Sequence, residues 1–143
     1  MDFPILSLII FSPILGSIFI FISKNNNNNN QSAIYVSLFT SFANFFLALL
    51  LWYLFDNTTS EFQFIEEANW ISGLIKFKLG VDGISILFIV LTTFITPICI
   101  ISCVNSVKER IKEFLILILI LETFMIGVFC SLDLVVFYLF FEA

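Results

Sequence analysis

The sequence predicts an all-α membrane protein with about four complete transmembrane helices, the start of a fifth, and a small surface hairpin between the second and third. Two observations predict it. Hydrophobic residues make up 60% of the chain and charged residues only 12%, about half the charged share of a soluble domain, so the bilayer rather than water is the solvent this composition fits. The few charges are also gathered between apolar stretches that each have the roughly 20 residues needed to cross a hydrocarbon core of about 30 Å.

The elements follow in order. The first stretch, 3–23, carries no charge, and its amino end is acidic at Asp2 with no small-residue cleavage site after it. It is therefore a retained helix rather than a secretory leader. "KNNNNNNQ", Lys24 to Gln31, is a polar low-complexity run that cannot be buried in lipid and must be a water-side loop. A second uncharged span covers 32–55. From Asp56 to Asp82, "FQFIEEANWISGLIKFKLGVDG" alternates at Phe62 to Ile65 and at Ile75 to Leu79 around a Ser72-Gly73 turn signal. That pattern predicts a hairpin against the membrane surface, with Trp70 suited to the interface. The third span is 84–106, and the fourth, 114–132, is interrupted only by Glu122. Leu134 opens a fifth at 134–143 that ends before it could cross, and completing it calls for about ten further apolar residues. Residues 1–143 thus read as a single membrane domain that stops inside a helix, the amino-terminal fragment of a larger polytopic subunit or one piece of a split protein. Pro13 and Pro97 lie inside spans, where each removes a helix hydrogen bond and predicts a kink, near Ile9 and Thr93.

Absences narrow the chemistry. The net charge of -5 comes with no basic patch, so nucleic acid is not a partner. There is no histidine, and Cys99, Cys103 and Cys130 have no paired CxxC spacing, which removes haem, iron–sulfur and zinc sites from this chain. Cys99 and Cys103 stand one helical turn apart and read as small apolar filler rather than a redox pair. No glycine-rich phosphate loop is present. The Asn57-Thr58-Thr59 triplet fits a glycosylation acceptor but is too common to carry weight. The asparagine run, with the richness in isoleucine, phenylalanine and lysine, points to an AT-rich genome such as that of an organelle or a reduced bacterium.

What remains is carboxylate chemistry. Glu122 precedes Asp133 by about 11 residues and Glu142 follows it by about 9, so at about 1.5 Å per residue both lie roughly 14 to 16 Å from the same turn, near the bilayer midplane. A charge at a helix centre costs roughly 2.5 to 3.5 kcal/mol, so such residues face a bundle interior, a water-filled cavity or a cation. Two at matched depth on adjacent helices make a proton path the leading reading. The plainer alternative, a neutral glutamic acid hydrogen-bonding between helices, stays open, more for Glu122 than for Glu142. Asp82 in "GVDGIS" and Asp133 in "SLDL" fall at helix beginnings and read as caps.

Two longer motifs carry a resemblance. "LGVDGISILFIVLTTFITPICI", Leu79 to Ile100, and "LETFMIGVFCSLDLVVFYLFFEA", Leu121 to Ala143, resemble the third to fifth helices of the antiporter-like subunit M of NADH-quinone oxidoreductase, known in mitochondria as NADH dehydrogenase subunit 4. The upstream "FQFIEEANWI" and the first two helices are similar to the same family. The resemblance implies a subunit of about fourteen helices in the proton-pumping membrane arm of respiratory complex I, with the other membrane-arm subunits and the lipid bilayer as partners. It also implies that NADH, flavin, iron–sulfur clusters and quinone belong to other subunits and that this chain has no cofactor of its own. By the same resemblance Glu142 is the charge partner of a lysine on a later helix, and Glu122 matches a glutamate often present one helix earlier. The alternatives are a subunit of a multisubunit sodium/proton antiporter, which shares the carboxylate logic, or a non-catalytic membrane scaffold. "YLFFEA" and "TPICI" look more like the mitochondrial versions, which implies the mitochondrial inner membrane, with a bacterial inner membrane as the alternative.

Lys24, Lys108, Arg110 and Lys112 outnumber Lys76 and Lys78, which places the first and third loops in the cytoplasm or matrix and the amino terminus outside. A cysteine placed in the Asn25 to Asn30 run is therefore expected to be protected from an impermeant thiol reagent added outside, while one placed near Glu66 reacts. The reverse labelling pattern would invert this topology.

Overall fold

A computed structural model describes residues 4–23, 30–71 and 75–143, without the side chains of residues 70 and 71. Lys24, the Asn25–Asn29 run, the Ser72-Gly73 turn signal and the Trp70 ring lie outside that description. Within it the order is α1 (Ile5–Ile22), α2 (Gln31–Leu54), β1 (Gln63–Ile71), β2 (Ile75–Val81), α3 (Gly83–Ser106), α4 (Ile111–Cys130) and α5 (Leu134–Glu142). The first four helices are long and apolar enough to cross a membrane. Pro13 and Pro97 are each carried inside an unbroken helix.

The helices alternate in direction, and α1 to α4 close a four-membered ring. Helix α1 packs on α2 and α4, α3 packs on the same two, and α2 meets α4 across the diagonal. The short α5 lies outside the ring against α4. Closing the ring needs small residues where backbones approach, since lipid supplies no hydrophobic force between helices. A Cβ on Gly16 would meet the Thr40 side chain at 2.6 Å, so this glycine sets the α1–α2 spacing. The outward faces stay apolar, as a lipid solvent requires: Phe19, Phe39, Ile84 and Leu117 are all exposed.

The hairpin sits at the end of the bundle where α1, α3 and α5 begin. β1 and β2 pair antiparallel, with Glu67 opposite Lys78. Their side chains form an ion pair of 2.7 Å, and that bond holds the exposed Glu67 carboxyl below the ordinary carboxylate range. β1 runs past the expected Ile65 because Glu66 and Glu67, which break the apolar alternation, each have a partner. A register shift between Gln63 and Glu66, with Phe64 at φ 54, is where the strand bulges. The far edge of β2 is tied down as well: the Leu132 amide donates to the Lys78 carbonyl at 3.0 Å, and Leu79 bridges to Ser131 in the α4–α5 turn. A groove of about 480 Å³ runs between Ala68, Asn69 and Phe77 of the hairpin and Phe11, Ile14 and Phe140 of the helices.

Helix α1 is fixed at both ends by charges from distant parts of the chain. Pro4 at its start offers no side-chain cap. Glu66 does so instead: its carboxylate accepts from the Leu6 amide at 2.8 Å and the Ser7 amide at 3.1 Å, and also from the Ser7 hydroxyl. At the other end the Lys112 ammonium donates to the carbonyls of Phe21 and Ser23. An anion therefore sits at the positive end of the helix dipole and a cation at the negative end. This role for Lys112 also places the α4 start at Ile111, three residues before the apolar run begins. Glu66→Ala strips two amides of their acceptor and is expected to cost about 1 to 3 kcal/mol. The check is thermal unfolding in detergent followed by helical circular dichroism; an unchanged midpoint would remove Glu66 from this role.

Candidate functional site

The buried apolar residues fall into two clusters with a polar layer between them. One cluster, nearer the hairpin, is built on Leu6, Ile9, Leu51, Ile89 and Ile126, and the other on Ile20, Ala33, Ile100, Leu115 and Leu119. Between them every helix of the ring turns polar residues inward: Ser17 on α1, Ser37, Ser41 and Asn44 on α2, Thr93 and Thr96 on α3, Glu122 and Thr123 on α4. Most of these are satisfied by their own helix. Ser17 donates to the Ile14 carbonyl at 2.7 Å, Ser37 to Ile34 at 2.8 Å, Thr93 to Ile89 at 3.0 Å, Thr96 to Thr92 at 2.9 Å and Thr123 to Leu119 at 3.2 Å. Such residues are polar in name and inert in the bundle.

Three side chains differ, because they bond across helices. The Asn44 amide nitrogen donates to Glu122 Oε1 at 2.8 Å, and the Ser12 hydroxyl donates to Asn44 Oδ1 at 2.9 Å. This Ser12–Asn44–Glu122 chain crosses from α1 through α2 to α4 close to the midpoint of each helix. Pro13 contributes to it. Its missing N–H leaves the Ile9 carbonyl without its helix donor, and the Ser12 hydroxyl lies within reach of that oxygen at 3.4 Å as well as of Asn44 Oδ1 at 2.9 Å, the shorter of the two contacts. Glu122 is only 2% exposed, and its second oxygen, Oε2, has no hydrogen-bond partner among the described residues. The Ser41 hydroxyl, one turn before Asn44, is the other buried side-chain oxygen in that state. Glu122 also borders a groove of about 400 Å³ between α3 and α4, alongside Thr92, Thr96 and Cys99.

Glu142 stands differently. It is the last residue of α5, exposed, and bonded to nothing among the described residues. Counted from the α4–α5 turn, Glu122 lies 8 residues before Cys130 and Glu142 lies 8 after Leu134 (130−122 and 142−134), about 12 Å in each case. The two carboxylates share a depth but make no contact. Asp82 and Asp133 are caps: Asp82 accepts from the Ser85 amide at 2.7 Å, which holds its carboxyl below the usual range, and Asp133 accepts from the Val135 amide at 2.8 Å. The three cysteines are free thiols.

Asn44, Ser12 and Glu66 went unnoticed in the sequence. One signal for Asn44 was present: α2 buries Ala33, Ser37, Ser41, Asn44, Ala48 and Leu51, a stripe of mostly small or polar residues at helical spacing. Asn44 is the one large polar member of that stripe.

Comparison with known proteins places this geometry. NADH-ubiquinone oxidoreductase chain 4 of Marchantia polymorpha is 45% identical over 139 residues, covering 96% of this chain and 28% of that protein. NADH-quinone oxidoreductase subunit M of Rickettsia conorii is 41% identical over 147 residues, covering 100% of this chain and 30% of that protein. The chain is a homologue of the amino-terminal part of these subunits. It spans about three-tenths of their length, 28% and 30%. No family model matches it. Among solved structures, a chain of the membrane-bound sulfane sulfur reductase, an archaeal respiratory membrane complex, superposes with a TM-score of 0.70 at 18% identity, covering 99% of this chain and 21% of that one. That likeness extends to the fold.

The packing of α5 against α4 depends on Gly127. A Cβ there would meet the Phe140 ring at 2.6 Å. Gly127→Ala is expected to cost about 1 to 3 kcal/mol by overpacking. Adding Phe140→Leu should recover part of the loss, measured as a double-mutant cycle on unfolding in detergent. Strict additivity of the two changes would separate Gly127 from the Phe140 contact.

Proposed function

We propose that this chain works as the amino-terminal part of a proton-translocating subunit in the membrane arm of respiratory complex I, in a mitochondrial or bacterial inner membrane. The observation that carries the reading is Glu122, a carboxyl enclosed at mid-span with one oxygen held by Asn44 and the other without a partner among the described residues. A purely structural glutamic acid has every reason to satisfy both oxygens, because an unmet polar atom in a low-dielectric interior is costly. A group that gains and loses a proton keeps one oxygen available. The homology to complex I subunits supports the assignment to that complex.

In this reading electrons move elsewhere. NADH, flavin, iron–sulfur clusters and quinone are handled by other subunits, which are this chain's partners together with the lipid, and this chain holds and passes protons. Glu122 and Glu142 are its proton-carrying groups. Glu142, at the same depth on the open face of α5, is the one placed to meet a cation from another helix, and Glu122 is the enclosed one.

The test uses the full-length subunit assembled in its complex. Glu142→Gln, which keeps shape and hydrogen bonding but removes the titrating proton, should lower proton pumping by at least about tenfold with assembly intact. Glu122→Gln should cost less, and Glu142→Asp should retain part of the activity because a carboxylate survives. Pumping is read from dye quenching in sealed vesicles energised with NADH. A normal gradient and a normal NADH oxidation rate in assembled Glu142→Gln enzyme would make the residue part of a scaffold.

A further inference from the structure

We infer that Asn44, anchored at its amide oxygen by Ser12, fixes the Glu122 carboxyl so that Oε2 is the oxygen that takes up and gives back the proton. The inference rests on the reading of Glu122 as a proton-carrying group and adds the residues that position it.

The geometry leaves little freedom. An asparagine amide has two faces, an oxygen that accepts and a nitrogen that donates. In the observed arrangement the nitrogen faces Glu122 Oε1 at 2.8 Å and the oxygen faces the Ser12 hydroxyl at 2.9 Å. The Ser12 hydroxyl, which can donate or accept, places its proton on the Asn44 oxygen that the Glu122 contact leaves on its side and so anchors the far end of the amide. With the amide reversed, its oxygen would oppose Oε1, two acceptors with no hydrogen between them while the glutamate is ionised. The ionised carboxylate, which can only accept, therefore selects the orientation of Asn44; Ser12 anchors the amide oxygen at the other end, and Asn44 occupies one oxygen of Glu122.

The consequence is chemical. An oxygen that accepts a hydrogen bond from an amide serves as the carbonyl oxygen of the protonated acid, because the N–H donor already lies where a proton on that oxygen would have to go. The proton is left to Oε2, the atom without a partner among the described residues. In the ionised state Oε1 keeps the same donor, so the carboxyl changes its charge without changing its anchor. When Oε2 gains a proton an O–H bond forms there, and when it gives the proton up that bond breaks and the electron pair stays on Oε2. No atom of Asn44 or Ser12 is exchanged. An amide is a poor proton carrier, since passing a proton through it would require the imidic acid tautomer. Ser12 and Asn44 are therefore positioning residues rather than links in the path. Glu122 borders the α3–α4 groove, where Thr92 and Thr96 stand among mostly apolar neighbours such as Phe88, Leu91 and Met125.

The experiment is infrared difference spectroscopy of the protonated carboxyl in the full-length subunit within its complex, together with proton pumping. The carbonyl stretch of Glu122 is identified as the band lost in Glu122→Gln. In Asn44→Leu, which removes the donor, that band should move to higher wavenumber, because a carbonyl freed of a hydrogen bond stiffens, and pumping should fall several-fold. Ser12→Ala should move it in the same direction by less, and Ser12→Thr, which restores a hydroxyl, should return it to the wild-type position. If Asn44→Leu does not assemble, the Ser12 pair decides. A band unmoved by loss of the amide or of the serine hydroxyl overturns the positioning role even when Glu122→Gln impairs pumping. Unimpaired pumping in Glu122→Gln, or no Glu122 band at any pH the complex survives, overturns the reading of Glu122 itself and the inference with it.

Discussion

The axial position of α1 governs the interior of this bundle. A helix in lipid has no water to fix its height, and its apolar side chains slide past one another at little cost. Here the height is set at the two ends, by the Glu66 carboxylate on the first amides and the Lys112 ammonium on the last carbonyls. Both are charge-assisted bonds to a helix terminus, the strongest kind of cap available. Their joint effect appears at mid-span. Ser12 comes to the depth of Asn44, and Asn44 to that of Glu122, within a reach that one residue of slippage, about 1.5 Å, would break. The hairpin and the first turn of α4 thus act on the membrane interior through α1, although neither segment reaches the polar layer with a bond of its own.

That polar layer also explains why the bundle closes so tightly. Inter-helix hydrogen bonds in lipid contribute only about 1 kcal/mol each, so they need close packing to hold their geometry. Gly16 against Thr40 and Gly127 against Phe140 bring backbones together on either side of the layer, and the small stripe of α2 lets its Asn44 reach across the ring diagonal to α4. Apolar clusters above and below seal the layer from both membrane faces. A carboxyl in such a place is insulated from bulk solvent and addressed by specific neighbours.

The helices were legible in the sequence because the bilayer imposes a length and forbids charges within it, and these two rules leave few ways to divide the chain. The hairpin was legible from its turn signal and alternation, although β1 proved longer because Glu66 and Glu67 broke the pattern while serving it. The two caps followed from Asp82 and Asp133 standing just before apolar runs. What escaped was the partnership of residues far apart in the chain. Glu66 caps a helix 60 positions away and Asn44 reaches a glutamate 78 positions away, and no local pattern encodes either. Ser12 was hidden further, since a serine beside a proline in a span reads as a packing detail. The sequence marked Glu122 as unusual through its charge and Asn44 as the one large polar member of the α2 stripe, but nothing in it joined the two.

The two carboxylates then differ in kind, although they share a depth. Glu122 is enclosed by the ring, anchored on one oxygen, and free to change only in protonation. Glu142 has no anchor among the described residues and lies on the face of α5 turned away from the ring. Coupling in a transporter needs both kinds of group, one whose surroundings hold still so that its proton affinity is defined, and one whose partner can change so that the affinity can be altered. A fixed group alone titrates without doing work, and a mobile group alone has no defined state to return to. In the proposed role the arrangement of α1, α2 and α4 supplies the first. The open face of α5 leaves room for the second.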